Sequence, residues 1–260
     1  MSLSERGPNT VAFIPFVVAG DPDQDTTLKM IDLLIEEGAD LIELGVPFSD
    51  ALADGPVIQF ASEKAASTTS LDDVLKLVKR AREKHAGFRF VLFTYVNPIL
   101  RMGEEEFAAR ASEAGVYAVL VVDLPPDESV VYRECMAKVN VKTVFLASPT
   151  TSLERFDPIA RDSTAFVYYV SRAGVTGVQE KMSSTLSVEV KRLRERTDKP
   201  IAVGFGISNG GLAREVAQIA DGVVVGSAFV KILEQGATLA ALDQVRVLAR
   251  EIRTATRNHS

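Results

Sequence analysis

The chain is poor in the residues that carry most nucleophilic and metal chemistry: its 260 residues include one cysteine and two histidines. A single cysteine, Cys135, excludes an intrachain disulfide and points to a reducing compartment. Cys135 lies inside a helical pattern without CxxC spacing or a nearby histidine, so it reads as a packed thiol. His85 closes a helical pattern and His259 stands in the last residues, so both read as structural and no metal site is expected. Acid–base chemistry must then fall to carboxylates. Positive charge is also short, with a formal net charge of −6, which argues against a nucleic-acid partner. No apolar run approaches the roughly 18 residues of a membrane span, so no membrane partner is expected. The first ten residues are polar, without a signal-peptide pattern. The expected location is the cytoplasm, or a plastid stroma for a processed chain.

Hydrophobic residues make up 47% of the chain and charged ones 25%, the balance of a globular protein with a large core. Eight short apolar, β-branched runs suggest strands at residues 11–18, 41–44, 88–94, 117–122, 142–147, 165–170, 201–203 and 222–225. Such continuous runs suit a parallel sheet buried on both faces. Amphipathic stretches follow at 25–37, 71–84, 104–113, 128–138, 153–161, 185–196, 212–220 and 239–253. Ser70 and Asp73 mark the start of the second, and Gly38, Gly87 and Gly115 sit where helices end. Strict alternation of eight strands and eight helices predicts an α/β protein, a (β/α)8 TIM barrel forming one domain over residues 1–260. An open doubly wound sheet is the alternative; it favours GxGxxG after the first strand, where Gly20-Asp21-Pro22 stands instead.

The densest motif runs from Glu43 to Pro56, ELGVPFSDALADGP. It sets Glu43 at the end of an apolar strand and Asp54 on a Gly/Pro-rich loop. A carboxylate in an apolar strand costs free energy unless it has a partner or a task, and burial moves its pKa toward the working pH. Two further loops, Gly204 to Gly211 after the seventh strand and Gly226-Ser227 before a short helix at 228–234, suit a phosphate held by backbone N–H groups. Ser171 to Gly177, followed by a polar stretch at 179–184, reads as a mobile lid or an ordinary surface loop.

With Phe13-Ile14-Pro15-Phe16, Ala19-Gly20-Asp21-Pro22, Tyr95-Val96-Asn97-Pro98-Ile99 and Val203 to Ser208, these motifs resemble, in order, the tryptophan synthase alpha chain family. The resemblance implies retro-aldol cleavage of indole-3-glycerol phosphate to indole and glyceraldehyde 3-phosphate, without a cofactor in this chain. It implies catalytic roles for Glu43, as mobile acid and base, and Asp54, as acceptor of the indole N–H. Gly177, Gly204, Phe205, Gly206, Gly226 and Ser227 are then expected at the phosphate. Phe16, Ile58, Phe93, Tyr95, Leu120, Leu146 and Tyr168 are expected around the indole, with Thr176 in the lid. The implied partner is a tryptophan synthase beta chain with its own pyridoxal phosphate, in an alpha-beta-beta-alpha heterotetramer.

Three departures from the family stand out. Ala51 replaces a usual proline, which implies a less rigid loop around Asp54. Residues 65–70 look one residue short and lack a common glycine. The stretch before the first strand is too short for the family's amphipathic helix, so the barrel floor is expected to be exposed or covered by another chain. Two other functional readings stay open here: a stand-alone lyase that releases free indole, and a non-catalytic regulatory subunit that binds a phosphate ligand. Another phosphosugar barrel, an epimerase or isomerase, calls for metal ligands or a catalytic lysine at strand ends, and no such cluster is evident.

Overall fold

Eight parallel strands close on themselves in the computed structural model, which describes residue 3 and residues 10–171, 185–204, 206–234 and 236–257. They are β1 (Ala12–Val18), β2 (Ile42–Gly45), β3 (Phe90–Thr94), β4 (Ala118–Val121), β5 (Lys142–Ala147), β6 (Phe166–Val170), β7 (Ile201–Gly204) and β8 (Gly222–Val225). Each pairs with the next, and β8 returns to β1 with Ala12 opposite Gly222. This is the expected TIM barrel, and closure excludes the open sheet.

Strand residues alternate between two cores, as the pleat requires. Phe13, Ile42, Leu44 and Leu92 face outward into the large core beneath the helices. Ala12, Ile14, Leu41, Val91, Leu120 and Phe166 face inward and fill the barrel. Glu43 and Gly45 continue the inward row of β2. Leu3 is buried with this inner cluster, so the chain's own start covers part of the barrel floor. Residues 4–9 lie outside the described residues.

The outer helices are α1 (Gln24–Glu36), α2 (Pro56–Ala66), α3 (Leu71–Lys84), α4 (Val96–Met102), α5 (Glu104–Ala114) and α6 (Val130–Lys138). After them come α7 (Leu153–Asp162), α8 (Leu186–Arg194), α9 (Gly210–Ala217), α10 (Ser227–Leu233) and α11 (Leu239–Arg257). Helix α3 starts with the anticipated capping box, in which Ser70 N–H donates to Asp73 at 3.0 Å and Asp73 N–H to Ser70 Oγ at 3.3 Å. Two helices are additions to the expected set. Helix α2 buries only Ala61, Ser62 and Ala65, too few to register as an amphipathic period, and its one signal is Pro56 at the first helical position. Helix α4 is a seven-residue turn pair with Pro98 near its start. Helix α6 begins two residues later than expected, because Pro126–Glu128 form a separate 3-10 turn. The short link after α2 closes on itself, with Thr68 and Thr69 N–H groups both donating to Ala65 O.

The last helix is latched to the first βα unit. Asp40 accepts the Phe13 N–H at 2.9 Å and pairs with Arg253 of α11 at 2.8 Å, their side chains only 14% and 15% exposed. Glu37 pairs with Arg250 and Arg246, one and two turns before Arg253. Asp40→Ala leaves a buried N–H and a half-buried guanidinium without this partner. It should cost roughly 2–4 kcal/mol, measured by urea unfolding.

Candidate active site

Strand β2 brings Glu43 inward between Phe16 of β1 and Val91 of β3. Its carboxyl group is fully buried, and neither oxygen has a hydrogen-bond partner among the described residues. Desolvation alone pushes its pKa up to about 8, so Glu43 is neutral near pH 7. The space around it depends on missing side chains. A Cβ on Gly45 would lie 2.6 Å from Phe16 Cζ, and one on Gly204 would lie 2.2 Å from Tyr168 Oη. The freed volume lets the Phe16 and Phe93 rings meet edge to face, 5.2 Å apart.

The loop after β2 is braced from two sides. Asp54 N–H donates to Ala51 O at 3.1 Å, so the turn is held without the family's proline. From α2, Gln59 Nε2 donates to Asp54 O at 2.8 Å. Ser62 Oγ, one turn further along α2, accepts Phe48 N–H at 2.9 Å and donates to Phe48 O at 3.1 Å. From the end of β3, Tyr95 Oη donates to Asp54 Oδ2 at 2.9 Å and accepts Ala53 N–H at 3.1 Å. The Phe48 and Tyr95 rings pack 5.0 Å apart. Half-burial raises the Asp54 pKa to about 6, with the Tyr95 hydrogen bond acting in the opposite direction.

A cavity of about 290 Å³ opens at the carboxyl ends of the strands, where barrel enzymes carry their sites. Asp54, Phe16, Ile58, Phe93, Leu146, Tyr168, Gly206, Gly226 and Ser227 line it, all anticipated from sequence. Val57, Val122, Val170 and Val224 also line it and were not anticipated. The inward row of each strand, extended to its carboxyl end, could have located the last three. Leu120 does not reach the wall; it is fully buried in the inner core. Tyr95 stands behind Asp54 rather than on the wall, and Glu43 lies out of contact with the open volume. Gly204 is also off the wall: it makes room for Tyr168, and its carbonyl accepts the N–H and Oγ–H of Ser171. Gln59 and Ser62 were missed because their one-turn spacing has meaning only once α2 is known to be a helix. Thr176, Gly177 and Phe205 lie outside the described residues.

Tyr168 connects the two acids. Burial first, then the charges of Glu43 and Asp54, hold its phenol well above the ordinary range, which places it near both. Among the described residues no lysine or arginine lines the cavity, so what these residues offer an anion is backbone groups. Gly206 adopts a positive φ of 78°, and Ser227 opens α10, whose first N–H groups lack intrahelical partners. Away from the site, His85 is bonded to Asp32 at 2.6 Å and Cys135 is a buried free thiol, as their structural readings require.

A family model described as the tryptophan synthase alpha chain matches residues 3–257. The chain belongs to the tryptophan synthase alpha chain family. The alpha chain of Geobacter sp. strain M21 is 49% identical over 92% of this chain and 89% of its own length. That of Hydrogenovibrio crunogenus is 45% identical over 90% and 86%. The solved tryptophan synthase of Mycobacterium tuberculosis matches with a TM-score of 0.87 at 36% identity, covering 96% of this chain and 93% of that one. Tryptophan synthase subunit alpha from Legionella pneumophila matches with a TM-score of 0.86 at 36% identity, covering 95% and 93%. The protein is therefore a lyase of tryptophan biosynthesis, from a family that cleaves indole-3-glycerol phosphate. Among the described residues no helix is long and apolar enough to cross a membrane.

Burial of Glu43 makes a thermodynamic prediction independent of activity. Its folded pKa of about 8 lies above the ordinary value of about 4.3. Between those values the unfolded chain releases a proton that the folded chain keeps. Stability present at low pH is therefore lost as pH rises toward 8. Glu43→Gln removes the titration, so the variant should gain roughly 2–4 kcal/mol relative to wild type between pH 5 and pH 8. Urea unfolding at the two pH values measures this; an equal difference at both would contradict it.

Proposed function

We propose that the cavity binds indole-3-glycerol phosphate with its ring among Phe16, Ile58, Phe93, Leu146 and Tyr168 and its phosphate toward Gly206, Gly226 and Ser227. Glu43 and Asp54 then cleave it. The observation that carries this reading is a mostly apolar cavity lined by Asp54, with a neutral acid of higher pKa, Glu43, buried beside Phe16 on the neighbouring strand. Neutral Glu43 protonates indole C3, which becomes tetrahedral and leaves the ring cationic. The Asp54 carboxylate accepts the N1–H and stabilises that charge where it develops. Glu43, now ionised, removes the proton from the hydroxyl on the carbon attached to C3. The C–C bond breaks, its electron pair restores the neutral indole, and the former alcohol carbon becomes the aldehyde of glyceraldehyde 3-phosphate. Glu43 ends protonated, ready for another turn. The indole ring itself accepts the electrons, so the step needs no cofactor from this chain.

The proposed partner is a beta chain carrying pyridoxal phosphate, in an alpha-beta-beta-alpha assembly. Exposed apolar side chains support a docking face around the site: Leu52 (78%), Phe60 (63%) and Leu100 (55%). They stand on the Asp54 loop, on α2, which bonds Asp54 through Gln59, and on α4, whose N-cap is Tyr95, so a partner covering them bears on the segments next to the acid. Thr176, Gly177 and Phe205 enter this reading through the family resemblance, as lid and phosphate contacts. The expected intracellular location is the cytoplasm.

Indole release from indole-3-glycerol phosphate, with and without the beta chain, tests the reading. Glu43→Gln and Asp54→Asn should each lower kcat at least roughly 10²-fold, with substrate binding retained in Glu43→Gln. Wild-type activity should rise with the partner. Near-normal turnover in Glu43→Gln would remove it from the mechanism. Strong partner-independent activity would favour a free-indole lyase, and ligand binding without turnover a regulatory subunit.

A further inference from the structure

We infer that Tyr95 is a positioning residue that keeps Asp54 ionised while Glu43 stays neutral, so that one phenol divides the protonation states of two acids serving one cavity. The inference rests on the catalytic reading above. Its geometric basis is the double engagement of a single oxygen. Tyr95 Oη accepts the Ala53 N–H at 3.1 Å and lies 2.9 Å from Asp54 Oδ2. A backbone N–H can only donate, so this contact occupies phenol lone-pair density and leaves its one proton for the carboxylate. An ionised acceptor takes such a proton far more strongly than a neutral acid does.

The groups around Asp54 leave no other side chain for this role among the described residues. Among the described residues Tyr95 is the one side chain bonded to the Asp54 carboxylate. Tyr168 of β6 lines the same cavity as Asp54 and lies within electrostatic range of both Asp54 and Glu43. Asp123, just after β4, lies within electrostatic range of Tyr95 and accepts the Val96 N–H. Burial opposes ionisation of Asp54, and the Tyr95 hydrogen bond favours it. Glu43 has no counterpart to Tyr95 and no hydrogen-bond partner among the described residues. Equal burial without that phenol would drive both acids neutral, which removes the acceptor that a cationic ring requires.

The phenol ring is held by packing as well as by the two hydrogen bonds of its oxygen. Its ring is buried against Phe48, and Ser62 locks the Phe48 backbone from both sides. Tyr95→Phe keeps the ring and removes only the oxygen, so this packing survives in the variant.

The test is the pH dependence of kcat/KM with the beta chain present. In wild type the acid limb should report Asp54 and the alkaline limb Glu43. Tyr95→Phe should move the acid limb upward by roughly one pH unit, leave the alkaline limb in place, and recover toward wild type as pH rises. A second measurement avoids turnover: calorimetric binding of an indole-alkyl phosphate, which keeps the indole N–H but has no hydroxyl to deprotonate. Its affinity should fall on acidification with the same limb, shifted alike in Tyr95→Phe and absent in Asp54→Asn. Uniformly lower activity with an unmoved acid limb would assign Tyr95 a structural role only and overturn the inference. An acid limb that persists in Asp54→Asn would overturn it as well. If Glu43→Gln retains its rate, the catalytic reading fails, whereas the binding limb still reports on Tyr95 and Asp54.

Discussion

Desolvation of one carboxyl group organises this molecule. Glu43 stands on an inward-facing position of β2, where every neighbouring strand position is apolar, and among the described residues nothing donates a hydrogen bond to it. A partner such as arginine would make it an ordinary carboxylate at neutral pH. Without one, burial holds it in the neutral form and makes it an acid able to give up a proton and take one back. The barrel makes this tolerable because eight paired strands and the Asp40–Arg253 latch supply cohesion from elsewhere. The instability is local, and the scaffold around it is rigid.

The second acid is governed by contacts rather than by burial alone. Asp54 lies on a loop, and its position is set by Gln59 on one side and Tyr95 on the other. Helix α2 contributes twice, since Ser62 fixes Phe48 and Phe48 in turn packs on Tyr95. A short helix with a weak apolar face thus serves as a jig for a catalytic loop more than as a layer of core. Its outer side chain Phe60, with Leu52 and Leu100, stays exposed. A partner seated there presses on the same elements that aim Asp54, which is a physical route by which partner binding can alter cleavage.

Small residues do comparable work inside the barrel. Gly45 and Gly204 leave room for Phe16 and Tyr168, and Gly226 lies against Phe16 and Ile58. In sequence, Gly204 belongs to a glycine-rich loop and reads as an anion cradle. In three dimensions it faces Tyr168, and its absent side chain shapes the cavity. Gly206, two residues on, does reach the wall.

Much of this was legible in the order of residues. Continuous apolar runs alternating with amphipathic ones point to a parallel sheet buried on both faces, and eight such units favour the barrel, whose closure is seen in the strand pairing. Glu43 was conspicuous for the same reason: a charge in an apolar strand has to be explained. Helices α2 and α4 were not legible, since a glycine- and proline-rich motif overlies the first and the second is only seven residues long. Residue order alone was enough to point to the barrel and the family and to single out Glu43 and Asp54 as the candidate acids. It took the folded chain to show that Leu120 is core, that Gly204 makes room for Tyr168, and that Tyr95 bonds Asp54 across 41 residues. Those facts depend on distances between strand ends, and such distances exist only once the barrel has closed.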